Sequence, residues 1–379
     1  MADIHTNWRA RKDGGFYIAT FEYPLYTDAP VSHDMEYLDS PYQLLNSNAV
    51  STEGNVALPS IYLRAKLYKT EHGPRSAEAD PKLHHGGTLA DEVAALLSLS
   101  GGVRVKAGGA TRRFDDNERY GKIMHWDYRP LPGLIVRRHQ DMILPNMPNR
   151  LHLNWHGHAT FIDCLSKDQC TALVKSARLY QDALWLAESE PSLSWLMMVS
   201  ALETAANHWR SSEGTSDQRL TQSKPELAEM LRKAGGEQHL REVANQIEHT
   251  LGATKKFIDF VITHLPKPPD ERPPAPHQLN WETKSMKKTL SKIYGYRSSA
   301  LHSGIPFPSP MCSPPYKTDL KGSLAETATF NLRDPIDGKI WTNDDAIMTL
   351  NTFNYITRYT LLNWWQTMTP IRIIQDTNF

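Results

Sequence analysis

Tyr296-Arg297-Ser298-Ser299-Ala300-Leu301-His302-Ser303-Gly304 closes a run of helix-forming residues that begins near Glu282. Gly304 reads as a stop, because a left-handed residue after the last turn satisfies carbonyls the helix leaves open. The spacing predicts a helix over 282–303 with an Arg and a His near its end. A guanidinium is a permanent cation with a planar hydrogen-bond fork, and an imidazole moves a proton near neutral pH. Together they can perform acid–base chemistry on a phosphodiester without a metal ion. On a straight helix, five residues turn a side chain by about 140° and raise it by about 7.5 Å. Arg297 and His302 therefore share a site only if the helix end frays or a second copy supplies one of the two groups. A plainer reading also stands, with His302 as a C-terminal capping residue and Arg297 as a surface ion-pair partner.

Working outward, prolines at 266, 268, 269, 273, 274 and 276 exclude a helix interior just before this segment. A second Pro-rich loop covers 305–315. Helical periodicity predicts further helices over 167–188, 191–208, 225–233, 239–263 and 344–368, the last started by Thr342 or Asn343 with Asp345 nearby. The chain before residue 150 reads differently. Residues 16–21 and 60–67 look like strands. Val103-Arg104-Val105-Lys106 and Thr111-Arg112-Arg113-Phe114 suggest a hairpin turning at Gly108-Gly109. A single helix over 89–99 is expected in this half, with Thr88 as N-cap and Asp91 three residues on. The predicted architecture is an α+β N-terminal domain, residues 1–155, followed by an all-α helical bundle over 165–379 with Pro-rich loops near 265–277 and 305–315.

The 379 residues balance 42 Lys and Arg against 42 Asp and Glu, so no global field draws the chain onto nucleic acid. Any such contact needs a local basic patch. Three cysteines (Cys164, Cys170, Cys312) have no metal-ligand spacing and no disulfide framework, which suits a reducing cytoplasm. Residues 1–12 lack the apolar core of a secretory signal, and the most apolar run, 195–206, is too short to span a bilayer.

Other candidate groups sort by chemistry. Lys284, Lys288 and Lys292 recur every four residues and form a basic stripe, suited to an RNA backbone or to a solvated helix face. Tyr294 and Tyr296 can stack a base or pack in a core. Glu203 interrupts an apolar helix and needs a partner if buried, and Arg297 is the obvious one. Asn207 and His208 follow it on the same helix. His152, His156 and His158 have no acidic or Cys ligand close in sequence, so they make a poor metal set. Arg104, Lys106, Arg112 and Arg113 suggest a basic hairpin, a ligand reader or a charge-protected edge. The chain has no Gly-Lys-Ser/Thr phosphate loop and no Gly-x-Ser-x-Gly elbow, so nucleotide hydrolysis of that type and serine hydrolysis have no footing.

Three of these features together resemble the HEPN superfamily, specifically the ApeA-like HEPN domains of bacterial defence proteins. Arg297-x4-His302 is similar to the family's R-x4–6-H signature. Trp195-Leu196-Met197-Met198-Val199-Ser200-Ala201-Leu202-Glu203 resembles its apolar helix ending in Ala-Leu-Glu. The helical layout from 166 to 368 is similar too. The resemblance implies a metal-independent endoribonuclease without cofactor, homodimeric through the helical domain, serving anti-phage defence by abortive infection. His302 would be the general acid or base and Arg297 the phosphate holder, supported by Ser298, Glu203 and Tyr296. RNA would be cut by its own 2′-hydroxyl, leaving a 2′,3′-cyclic phosphate. The N-terminal domain would receive a phage-derived trigger. The family often has Asn, Asp or His directly after the Arg, where this chain has Ser298. Members without activity serve as binding modules, so the alternative is a non-catalytic helical module for dimerisation or for partner or nucleotide binding.

Overall fold

The alternation at 16–21 and 60–67 belongs to two longer strands. The computed structural model describes residues 3–34, 40–47, 58–70, 84–116, 118–124, 142–147, 150–153, 162, 164–209, 215–247, 252–328, 340–342 and 344–369. Over these residues the chain runs α1 (Asp3–Lys12), β1 (Phe16–Thr27), β2 (Val31–Ser32), β3 (Tyr42–Asn46), β4 (Leu58–Lys69), α2 (Leu89–Gly101), β5 (Val105–Ala107), β6 (Arg112–Phe114), β7 (Lys122–Ile123) and β8 (Leu151–His152). The remainder is helical: α3 (Lys167–Leu186), α4 (Pro191–Trp209), α5 (Ser216–Ser223), α6 (Pro225–Gln246), α7 (Ala253–Thr263), α8 (Thr283–Ser303) and α9 (Leu350–Thr367). An antiparallel sheet with helices thus precedes a mostly helical part. Among the described residues no helix is long and apolar enough to cross a membrane.

The sheet has the order β3-β4-β1-β6-β7, with β5 also on β1. The expected hairpin at Gly108-Gly109 does not form. β5 pairs with Leu25–Thr27 and β6 with Thr20–Glu22, so both lie end to end along one edge of β1. The interruption falls opposite Pro24, which has no N–H to donate but accepts from Gly108 N at 2.8 Å. A Cβ on Gly108 would lie 2.8 Å from the Pro24 ring, so the close approach needs glycine.

The basic side chains of this stretch do not form a patch either. Arg104 is buried: its Nε donates to Leu184 O (2.8 Å), Nη1 to Asp28 Oδ2 (2.8 Å) and Nη2 to Glu188 Oε1 (3.4 Å). Glu188 also accepts from Ile143 N and Leu144 N, at 2.9 and 3.1 Å. Lys106 reaches Asp182, Arg112 donates to Tyr120 O, and Arg113 pairs with Asp115.

Helix α2 is buried along nearly its whole length, and its end groups are satisfied by protein, at an exposed N-cap and at a buried C-terminal end. Asp91 accepts from the Thr88 backbone N–H at 2.8 Å. Glu92 points outward from the same turn, pairs with His85, and accepts from Asp3 N and Ile4 N at 2.7 and 2.6 Å, which fixes the start of α1. At the other end Gly102 takes φ 67° and donates to Ser98 O at 2.9 Å. Arg358 of α9 donates to Leu99 O at 3.0 Å and to Ser100 O. A Cβ on Gly102 would lie 2.7 Å from that guanidinium.

One apolar cluster joins the sheet to the helices, running through Ile4, Leu63, Leu96, Leu173, Trp195 and Phe353. Residues 239–263 are not one helix. α6 ends at Gln246 and α7 starts after Gly252, which has φ 76°. α6 itself kinks at Gly235-Gly236, and with α5 it encloses a small separate core of Leu220, Ala228, Leu240 and Ala244. Helix α9 starts at Leu350, capped by Thr349, whose hydroxyl accepts from Thr352 N. Thr342 is instead the head of a turn in which its hydroxyl donates to Asp345 at 2.6 Å, while Asn343 lies outside the described residues. The polar N-terminal segment is helical, which its composition alone did not indicate.

Arg104→Met should lower unfolding stability by about 3–5 kcal/mol, because it strands the buried Glu188 carboxylate. Arg104→Met combined with Glu188→Gln should lose less than that, as read by urea unfolding of the full chain.

Candidate functional site

The predicted helix over 282–303 is α8, and Gly304 ends it with φ 67°. The N–H groups of Gly304 and Ile305 both turn back to Ser299 O. Its buried side chains are Met286, Thr289, Leu290, Ile293 and Tyr294, a stripe at helical spacing. Arg297 is the next position on that stripe. The sequence therefore drives a guanidinium toward the core, where it needs an acid.

Helix α4 supplies that acid. Arg297 Nη2 donates to Glu203 Oε2 at 2.5 Å, and Tyr294 Oη donates to Glu203 Oε1 at 2.8 Å. The two charged side chains are 19% and 17% exposed, so the pair is neither a surface ion pair nor fully dry. Arg297 Cζ sits 5.5 Å from the Tyr294 ring centroid, and that ring packs on Phe257 of α7. Burial, then the Glu203 carboxylate, push the Tyr294 phenol up to about 12, which keeps it a donor at neutral pH. Among the described residues Arg297 Nε is enclosed without an acceptor. Leaving a buried donor unpaired costs about 1–3 kcal/mol.

His302 is exposed in the last turn. Among the described residues no hydrogen bond joins it to Arg297. The two groups stand in separate environments in the single chain, as the five-residue offset requires. Ser298 is half-buried between them in sequence. Tyr296 is not free to stack a base: its hydroxyl donates to Asp345 O at 2.7 Å and its ring meets Phe307 edge-on. The lysine stripe is divided. Lys284 and Lys288 are exposed, while Lys292 donates to Asp344 O at 2.7 Å and pairs with its carboxylate, holding that carboxyl below the usual range.

The loop after α8 is pinned to the start of α4. Phe307 N donates to Ser192 Oγ at 3.2 Å, and Trp195 stacks between Phe307 and Phe353 while donating to Met311 O. Leu301 and Ile305 are left exposed beside His302. His208 turns to the edge of Trp364 rather than to Arg297, and desolvation lowers its pKa. His152 bonds Ser32 Oγ at 2.7 Å, and His156 and His158 lie outside the described residues. Among the described residues no group of three His, Cys, Asp or Glu side chains could hold a metal ion.

Sequence reasoning passed over Tyr294 as a partner of Arg297. Its position three residues earlier on the same apolar stripe is the signal that finds it.

A double-mutant cycle on Glu203→Gln and Arg297→Gln should give a coupling of about 1 kcal/mol, between exposed and buried pairs. The raised Tyr294 pKa contributes stability that is complete below the ordinary value of 10 and lost as pH rises through about 12. Tyr294→Phe should flatten that alkaline decline when unfolding free energies are measured across the interval. Comparison with protein-family models, with curated proteins and with solved structures finds no match to this chain.

Proposed function

We propose that this protein is a metal-independent endoribonuclease of the HEPN type, with Arg297 and His302 as the reacting pair, acting in anti-phage defence. The observation that carries the reading is the placement of α8. It sets a guanidinium in line with the buried stripe of the helix and holds it with Glu203, while an exposed imidazole stands at the glycine-terminated end. A guanidinium on the buried side of a helix needs such an acid, and this one stands within two turns of the exposed imidazole.

In the proposed reaction the RNA 2′-hydroxyl loses its proton to one imidazole as its oxygen attacks the adjacent phosphorus. The 5′-oxygen leaves with a proton returned by the same or a second imidazole. Arg297 faces the non-bridging oxygens, where charge accumulates. The products are a 2′,3′-cyclic phosphate and a 5′-hydroxyl. Because Arg297 and His302 diverge on one helix, a homodimer that opposes two α8 helices supplies each from a different copy. Exposed Lys284 and Lys288 offer backbone contacts. The N-terminal sheet region would receive the phage-derived trigger.

A second reading has its own support. Leu301 and Ile305 expose apolar surface around the helix end, which suits a non-catalytic module that binds a partner there.

His302→Ala and Arg297→Ala should each lower RNA cleavage by about 10²–10⁴-fold without loss of fold, and chelators should leave the wild-type rate unchanged. End analysis of the RNA should return cyclic phosphates. Cleavage that survives both substitutions sinks the enzyme reading in favour of the binding module.

A further inference from the structure

We infer that Glu203 and Tyr294 form a latch that holds Arg297 away from the reacting position, and that a single-stranded RNA backbone opens it by competing for the guanidinium. This rests on the reading of Arg297 and His302 as one reacting pair.

Four observations carry it. The guanidinium charge is cancelled at 2.5 Å by a carboxylate of comparable burial, so a phosphodiester arriving from solvent meets a neutral pair. The other cation one turn earlier, Lys292, is likewise matched, by Asp344. The carboxylate is aimed by the Tyr294 hydroxyl, which makes the pair a built contact between α4 and α8 rather than a chance one. Finally, Arg297 Nε has no acceptor among the described residues. A guanidinium that moves toward the helix end exchanges one charged acceptor and an orphaned donor for a phosphate that can take two N–H groups side by side.

Release also answers the geometric problem of the site. While Arg297 lies against Glu203 and the Tyr294 ring, it is directed to the α4 and α7 side, and His302 is in solvent. An unlatched arginine is free to meet the last turn of α8 of a facing copy. The contact would keep a potentially toxic nuclease silent until substrate is concentrated on it, with exposed Lys284 and Lys288 as the first contacts.

The test measures binding of a fully 2′-O-methylated single-stranded oligonucleotide, which cannot be cut, to the full chain over a range of salt. Glu203→Gln should bind about three- to tenfold more tightly than wild type. Its salt dependence should steepen by about 0.7 in the log–log slope, as one more cation engages a phosphate. Tyr294→Phe keeps the ring on Phe257 and loses only the hydroxyl, and it should shift both readouts the same way by a smaller amount. Adding Arg297→Ala to Glu203→Gln should cancel the gain. If Glu203→Gln does not fold, Tyr294→Phe carries the test. No gain in affinity or slope for any folded variant, or weaker binding, overturns the latch and leaves Glu203 as a positioning residue. Parallel cleavage of the unmethylated oligonucleotide by wild type separates that outcome from failure of the nuclease reading itself.

Discussion

The buried helix α2 constrains everything around it. Where such a helix ends inside the core, water is absent and side chains from distant elements must satisfy its last carbonyls. Thr88 and Asp91 close its start locally. Its far end depends on Arg358, more than 250 residues away in sequence, and on a glycine in the left-handed region. Glu92, projecting from the same helix, fixes the first turn of α1. Two segments remote in sequence, α1 and α9, are thus tied to one element by buried or half-buried hydrogen bonds.

Arg104 plays a comparable part between the sheet and α3. Its guanidinium serves Leu184 O, Asp28 and Glu188 together, and Glu188 in turn holds the backbone at Ile143 and Leu144. Such a network stabilises little beyond what well-packed apolar residues would supply, yet removing one member leaves a charge stranded. The continuous apolar cluster from Ile4 to Trp365 places the helical half against the sheet half, and these polar ties set the register between them.

The Arg297 cluster differs from Arg104 in being incompletely satisfied. Arg104 uses Nε, Nη1 and Nη2, whereas Arg297 commits Nη2 and leaves Nε enclosed without an acceptor among the described residues. Exposed Leu301, His302 and Ile305 lie just beyond it, where α8 leaves the core and ends at Gly304.

Periodicity and capping residues were enough to place α2, α3, α4 and α8 within a residue or two, because each needs only local signals: Thr88 with Asp91 for α2, helical spacing for α3, Pro191 for α4 and Gly304 for α8. The candidate pairing of Glu203 with Arg297 was also legible, since a carboxylate on an apolar helix requires a cation. Strand pairing was not. Nothing local tells that the segments at 105–107 and 112–114 share one edge of β1 instead of pairing with each other, because that choice is made by Pro24 and by the space beside it. The fate of charged residues was hidden for the same reason. Whether Arg104 is a surface cation or a buried tie, and whether Tyr294 or Tyr296 serves Glu203, depends on which elements meet. The chain by itself determined where α2, α3, α4 and α8 begin and end, since capping and helical spacing are short-range properties of the backbone. Only the tertiary structure decided which buried donor found which acceptor, because burial removes water as an alternative and leaves the choice to distant neighbours.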